Sequence, residues 1–245
     1  MRPLQREYAV VFIDATFFPI KRGNVEQEPI YVALGVRRDG SREILGFWIM
    51  GSEGESAKNW EEILRELAQR GVERVGLFVA DGLAGLEEAI KKVFPGADFQ
   101  RCVLHAVRST LQKVRKVDRA AVAEALKKIY RAANKEEAKK ALEDFISKYA
   151  KLYPKAVKLW VENFEKLTTF LHYPLPIRKH IYTTNLLERV FKELKRRLKV
   201  MELLQSEGSA ERIIFILLQQ IEEKLCRRRL PGFEEVFRCE EVDCA

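Results

Sequence analysis

The sequence predicts an α/β protein with helices packed on a mixed sheet. Three observations predict it. β-branched and aromatic runs fill residues 7–51, helix and strand patterns alternate to residue 102, and helical periodicity then continues without a strand signal to residue 171. The 245 residues are 47% apolar and 33% charged, which suits an ordered chain with a sizeable core.

The runs "EYAVVFIDATFF", "PIYVALGVRRDG" and "SREILGFWIMG" read as three strands of a meander, and Asp39-Gly40 suits a tight hairpin between the last two. A helix follows in "SAKNWEEILRELAQRG", opened by Ser56 and stopped by Gly71. Next come the buried strand "RVGLFVA", the helix "LAGLEEAIKKVF" ended by Pro95 and Gly96, and the short strand "DFQRC". The segments "HAVRSTLQKVRKV", "RAAVAEALKKIYRAA", "KEEAKKALEDFISKYA" and "PKAVKLWVENFEKLTTFL" are rich in Ala, Leu, Lys and Glu and read as helices. Two prolines make "HYPLPIRKHI" a loop. Helices are predicted near 184–203 and 208–227, before an acidic stretch at the C-terminus. The apolar "IIFILLQQIEEKL" suits core or interface.

The formal charge of +8 favours a polyanionic partner, because lysines and arginines on phosphates release counterions. No apolar run approaches the roughly 20 residues that span a bilayer, and "MRPLQREYAV" lacks a signal-peptide core, so no membrane role and a cytoplasmic, nucleoid-associated location are expected. Cys102, Cys226, Cys239 and Cys244 have no CxxC spacing, and thiols rather than disulfides or a zinc site are expected.

Three carboxylates stand out. Asp14 ends the apolar run "AVVFID", where an aspartate also commonly begins a turn. Asp81 closes "RVGLFVAD" before Gly82, where a helix cap or an Asp-Gly turn is the plainer account. Glu188 follows Asn185 by three residues, as in a capping box, and precedes Lys192 by four, as in a surface ion pair. At about 100° per residue, Leu187, Phe191, Leu194, Leu198 and Met201 form the buried stripe of this helix, with Glu188, Lys192, Lys195 and Lys199 along its flank. Taken together, two strand aspartates and a helical glutamate in a basic chain suit Mg²⁺, which binds a few carboxylates together with water and substrate phosphates. Two such ions activate an attacking oxygen and stabilise a leaving one.

The stretches "FIDATFFPIKRG", "VADGLAGLEEAI", "FQRCVLHAVRS" and "IYTTNLLERVFKELKRRLKV" resemble, in order, successive blocks of the Mutator-type transposases of bacterial insertion sequences. The resemblance runs from about residue 8 to residue 230. It implies a ribonuclease H-like domain with a five-stranded mixed sheet over 1–102 and 180–230, interrupted by an all-helical insertion over 103–179 and followed by an acidic tail over 231–245. The implied triad is Asp14, Asp81 and Glu188, holding two Mg²⁺ or Mn²⁺ ions, with the first and fourth strands side by side. Cys102, His105 and Asn185 fall near that site. For the cysteine and histidine a buried thiol beside a core-edge imidazole is the plainer account, and metal ligation by the pair is not expected. DNA contacts are implied for Lys21, Arg22, Lys192, Lys195, Arg196, Arg197 and Lys199, with a homodimer on DNA.

The implied reaction is hydrolysis at element ends followed by strand transfer into target DNA. The first strand begins near residue 7, so the N-terminal end-recognition region usual in such transposases is expected to be missing. A non-catalytic remnant that binds DNA or regulates is the alternative.

Overall fold

The computed structural model describes residues 2–22, 24–50, 56–199 and 206–236, with the backbone alone at 21, 22, 24, 25 and 207. Strands β1 (Glu7–Arg22), β2 (Asn24–Val36) and β3 (Arg42–Ile49) form an antiparallel meander, and β4 (Arg74–Ala80) and β5 (Asp98–Arg101) add parallel to β1 in the order β3-β2-β1-β4-β5. The Asp39-Gly40 turn forms as predicted. Asp39 Oδ1 accepts from the Ser41 amide at 2.9 Å, and Gly40 takes φ +77°. The β1–β2 pairing continues to Arg22 and Asn24, further than the sequence suggested, with Pro19 opposite Gln27 and Phe17 opposite Pro29.

Apolar residues on both parities of β1 and β4 mean that both faces of the sheet are covered. Val11, Ile13, Phe78 and Ala80 face α1 (Ala57–Gln69) and α2 (Leu86–Val93), in a layer containing Trp60, Leu64 and Ile90. Val10, Phe12, Leu77 and Val79 face the opposite layer.

The opposite layer begins with α3 (Val103–Gln112), α4 (Arg119–Tyr130), α5 (Lys135–Tyr149), α6 (Pro154–Glu162) and α7 (Phe164–Thr168). These share one continuous core with that face of the sheet. Buried Gln100 of β5 ties them down: its amide donates to Leu167 O at 3.1 Å, and its carbonyl oxygen accepts from Phe170 N at 2.7 Å. Inside the block, Trp160 donates to the Thr110 hydroxyl at 2.8 Å.

The segment predicted as a loop around the two prolines instead holds a short helix, α8 (Leu175–Ile181). Pro174 is its N-cap and Pro176 lies in its first turn, where no intrahelical N–H bond is lost. Helices α9 (Asn185–Leu198) and α10 (Glu207–Cys226) follow. On α10, Ala210, Ile214, Leu218 and Ile221 are buried while Phe215 and Ile216 are exposed, so its predicted apolar stretch is mainly core with an open outer edge. Of the expected acidic tail, Phe233 is fully buried beside the His180 ring, and residues 237–245 lie outside the described residues. No described helix is long and apolar enough to cross a membrane.

Candidate active site

The last paired positions of β1 and β4 are Ile13 and Ala80, and those of β4 and β5 are Ala80 and Arg101. The residues that follow are Asp14, Asp81 and Cys102, which form a row across three neighbouring parallel strands. Side chains alternate along a strand, so Asp14 shares the face of Phe12, and Asp81 that of Val79. Both aspartates thus project toward the layer that contains α3 and α9. Asp14 is not at the end of β1, as its position after an apolar run suggested; it lies within a long strand, at the end of the parallel ladder with β4.

Asp14 is 6% exposed. Its Oδ1 accepts from the Ala15 amide at 2.8 Å, and it also takes a hydrogen bond from Thr184. Burial raises its pKa above the ordinary carboxylate range, the nearby Asp81 adds to the rise, and Thr184, His105 and the Ala15 amide oppose it. Asp81 is more open and turns back on its own chain, with Oδ1 accepting from Gly82 N at 2.7 Å.

Cys102 is buried at the N-cap of α3, where its Sγ accepts from Thr184 N at 3.4 Å and lies 3.5 Å from Thr184 Oγ1. His105, in the first turn of α3, places Nδ1 3.8 Å from Asp81 Oδ2, and that buried nitrogen has no hydrogen-bond partner. Its pKa rises to about 9, first through hydrogen bonding to Cys102 and then through the nearby carboxylates of Asp14 and Asp81, against the effect of burial. A charged imidazole beside two aspartates offsets part of their mutual repulsion.

Glu188 lies on the first turn of α9 but is not drawn into this group. The N-cap is Thr184 and makes no side-chain cap, so the expected Asn185 capping box is not formed; Asn185 is exposed, and its amide donates to Thr183 Oγ1 at 3.4 Å. Glu188 instead accepts from Arg108 Nη1 of α3 at 2.6 Å. Among the described residues, no group of three or more acidic, histidine or cysteine side chains gathers as a metal-binding cluster. Glu188 still lies one helical turn beyond Thr184, whose carbonyl accepts the Glu188 amide at 3.0 Å and whose side chain reaches Asp14.

Leu187, Phe191, Leu194 and Leu198 are buried as predicted, and Leu186 and Val190 widen the stripe; Met201 lies outside the described residues. Lys192, Lys195 and Lys199 are exposed, and Lys195 Nζ lies 5.9 Å from the Phe18 ring centroid. Arg196 and Arg197 are engaged by Glu193, at 2.8 and 2.9 Å, and Arg197 also by Gln220. These arginines hold the Glu193 carboxylate down to about 2. The side chains of Lys21 and Arg22 lie outside the described residues.

Thr184 and Arg108 are site residues that the sequence reading missed. The available signal was spacing: Arg108 follows His105 by three positions, which places both on one face of α3.

A family model described as "Transposase, Mutator family" matches residues 1–227. The transposase for insertion sequence element IS905 of Lactococcus lactis subsp. lactis (strain IL1403) is 38% identical over 232 residues, covering 95% of this chain and 59% of that protein. The transposase for insertion sequence element ISRM3 of Rhizobium meliloti (strain 1021) is 38% identical over 225 residues, covering 91% of this chain and 56% of its own length. The chain spans somewhat more than half the length of these relatives. Its match to the family runs through every element from β1 to α10, so the chain belongs to the Mutator family of transposases.

Proposed function

We propose that this chain is the catalytic domain of a DNA transposase, with a ribonuclease H-like core into which helices α3 to α8 are inserted, and with Asp14, Asp81 and Glu188 as its catalytic carboxylates. The observation that carries the reading is the neighbouring placement of Asp14 and Asp81 at the end of the β1–β4 ladder, on the face where the Glu188 helix packs. Ligand sites in open α/β sheets favour this end of the parallel strands.

Mg²⁺ or Mn²⁺ fits the donor set at these two aspartates, since a buried carboxylate whose proton affinity is raised by burial and by a second carboxylate gains from a nearby cation. Asp14 and Asp81 would hold the ions, and Glu188 would join them on release from Arg108. When bound, two ions would supply activation of the attacking oxygen and charge stabilisation at the leaving one.

In the reaction, water attacks a phosphodiester at the element end, and the freed 3′ hydroxyl then attacks target DNA, with no covalent enzyme intermediate. Before the ions bind, His105, 3.8 Å from Asp81, offsets part of the repulsion between the two aspartates, and Thr184 orients the Asp14 carboxylate. Lys192, Lys195 and Lys199, exposed along the flank of α9, supply phosphate contacts that position DNA without reading its sequence. A homodimer on DNA and a cytoplasmic, nucleoid-associated setting belong to the same reading.

One observation favours the alternative, a non-catalytic DNA-binding or regulatory remnant: Glu188 is neutralised by Arg108. Incubation with supercoiled plasmid and Mn²⁺ separates the two. Nicked and linear products from the native chain and none from Asp81→Asn are expected, whereas equal products from both would overturn the catalytic assignment.

A further inference from the structure

Immediately beyond Asp81, on its Gly82 side, an open cleft of about 460 Å³ lies at the C-terminal ends of β4 and β5. Gly82, Lys91 and Phe99 line it from the sheet and α2, Arg101 stands at the end of β5, and Asn163 and Lys166 enter from the junction of α6 and α7. The cleft is therefore shared between the sheet and the helical block. It lies outside the carboxylate group described above.

Arg101 is its distinctive residue. Arg101 Nη1 donates to Asn163 Oδ1 at 2.8 Å, which fixes the guanidinium against the helical block. Its Nε is buried with no hydrogen-bond partner, and no carboxylate pairs with it among the described residues. The guanidinium lies directly over Gly82, where a Cβ would overlap its Nη2 in the present rotamer. By contrast, Lys91 and Lys166 both pair with Glu87, which leaves Arg101 as the cation with unspent donors. A planar, permanently charged fork held by one side-chain acceptor is suited to phosphate oxygens.

We infer that this cleft is a subsite for one backbone phosphate of a nucleic-acid strand lying beside the Asp81 edge of the site, with Arg101 as the positioning residue. The inference rests on the DNA-processing reading given above. Asn163 presets the guanidinium, so the helical block takes part in gripping the strand. The contact is to phosphate and carries no sequence preference.

The test is fluorescence anisotropy with a labelled oligonucleotide over a salt series, for the full chain and Arg101→Ala. Loss of one phosphate contact predicts about tenfold weaker binding and a salt slope reduced by about one, equally for unrelated sequences. Arg101 is anchored between two elements, so hydrogen–deuterium exchange of the native chain provides a reading that needs no variant: the oligonucleotide should protect residues 82–85. Salt-sensitive binding unchanged in Arg101→Ala, or no protection at 82–85, overturns the subsite and leaves the DNA-processing reading standing. Absence of DNA binding by the native chain overturns both. Equal protection by inorganic phosphate alone assigns the cleft to a free anion and overturns the strand subsite.

Discussion

Arg108 of α3 donates to Glu188 of α9 across 80 positions of sequence, at 2.6 Å. The pair joins the first helix after the sheet to the helix bearing the third proposed carboxylate. It also explains why Glu188 stays apart from Asp14 and Asp81, which the β1–β4 pairing makes neighbours. A carboxylate satisfied by a guanidinium has little to gain from approaching two other acids, and a divalent cation would reverse that preference.

Arg108→Ala is accordingly predicted to leave the fold intact while freeing Glu188. Both partners are partly exposed, so the loss in stability should not exceed about 1 kcal/mol. Mn²⁺ affinity measured by calorimetry should tighten by up to roughly fivefold, equivalent to about 1 kcal/mol. Unchanged affinity would show that the arginine does not compete with the ion.

Asp14→Asn should stabilise the metal-free protein. Burial raises the proton affinity of Asp14, so the ionised form is disfavoured in the fold and the carboxylate detracts from stability near neutral pH. The amide retains an oxygen to accept from Ala15 and Thr184. A gain of about 1 kcal/mol, or roughly 2–4 °C in Tm, is expected in chelator. A fall in Tm would mean that attraction to His105 outweighs desolvation.

His180 predicts an acid-side loss of stability. Burial, then the positive charges of Lys179, Arg42 and Arg189, lower its pKa from the ordinary 6.5, and its Nε2 has no partner. As pH falls through about 6.5 the unfolded chain takes up a proton that the folded chain refuses, so stability declines until the folded value is passed. The slope can reach about 1.4 kcal/mol per pH unit. Urea midpoints against pH for the native chain and His180→Gln measure it, and equal slopes in both would exclude His180 as the source.

Gly40→Ala should destabilise the fold by about 1–3 kcal/mol. Gly40 takes φ +77°, its carbonyl accepts from Leu230 N at 2.8 Å, and a Cβ would overlap the Leu230 carbonyl. Gly96, whose Cβ would meet nothing within 4 Å, provides the control: Gly96→Ala should stay within about 0.5 kcal/mol. Similar urea midpoints for the two variants would contradict the role assigned to the Gly40 contact.

Much of the sheet was legible because strand chemistry is local. Runs such as "AVVFI" and "RVGLFVA" are apolar on both parities, and Asp39-Gly40 marks its own turn. The distal half of the β1–β2 hairpin was not, because Pro19, Pro29 and interspersed charges obscure a pairing fixed by strand register. Helix α8 is hidden in the sequence by its two prolines, which lie at the N-cap and in the first turn, where proline costs no hydrogen bond.

For the site, the sequence singled out Asp14, Asp81 and the Cys102–His105 pair, and strand parity brings the aspartates to one face. It did not reveal Arg108 or Arg101. Each is a single arginine whose partner, Glu188 or Asn163, becomes a neighbour only through tertiary packing. Nor did it anticipate that Arg196 and Arg197 are engaged by Glu193, which leaves the lysines of α9 as the more available cations.

The most direct measurement of the central claim is strand transfer of a pre-processed 3′-hydroxyl oligonucleotide into plasmid DNA with Mg²⁺ or Mn²⁺, comparing the native chain with Glu188→Gln. The account predicts metal-dependent joined product from the native chain and none from the variant. Joining that survives Glu188→Gln would contradict the three-carboxylate site.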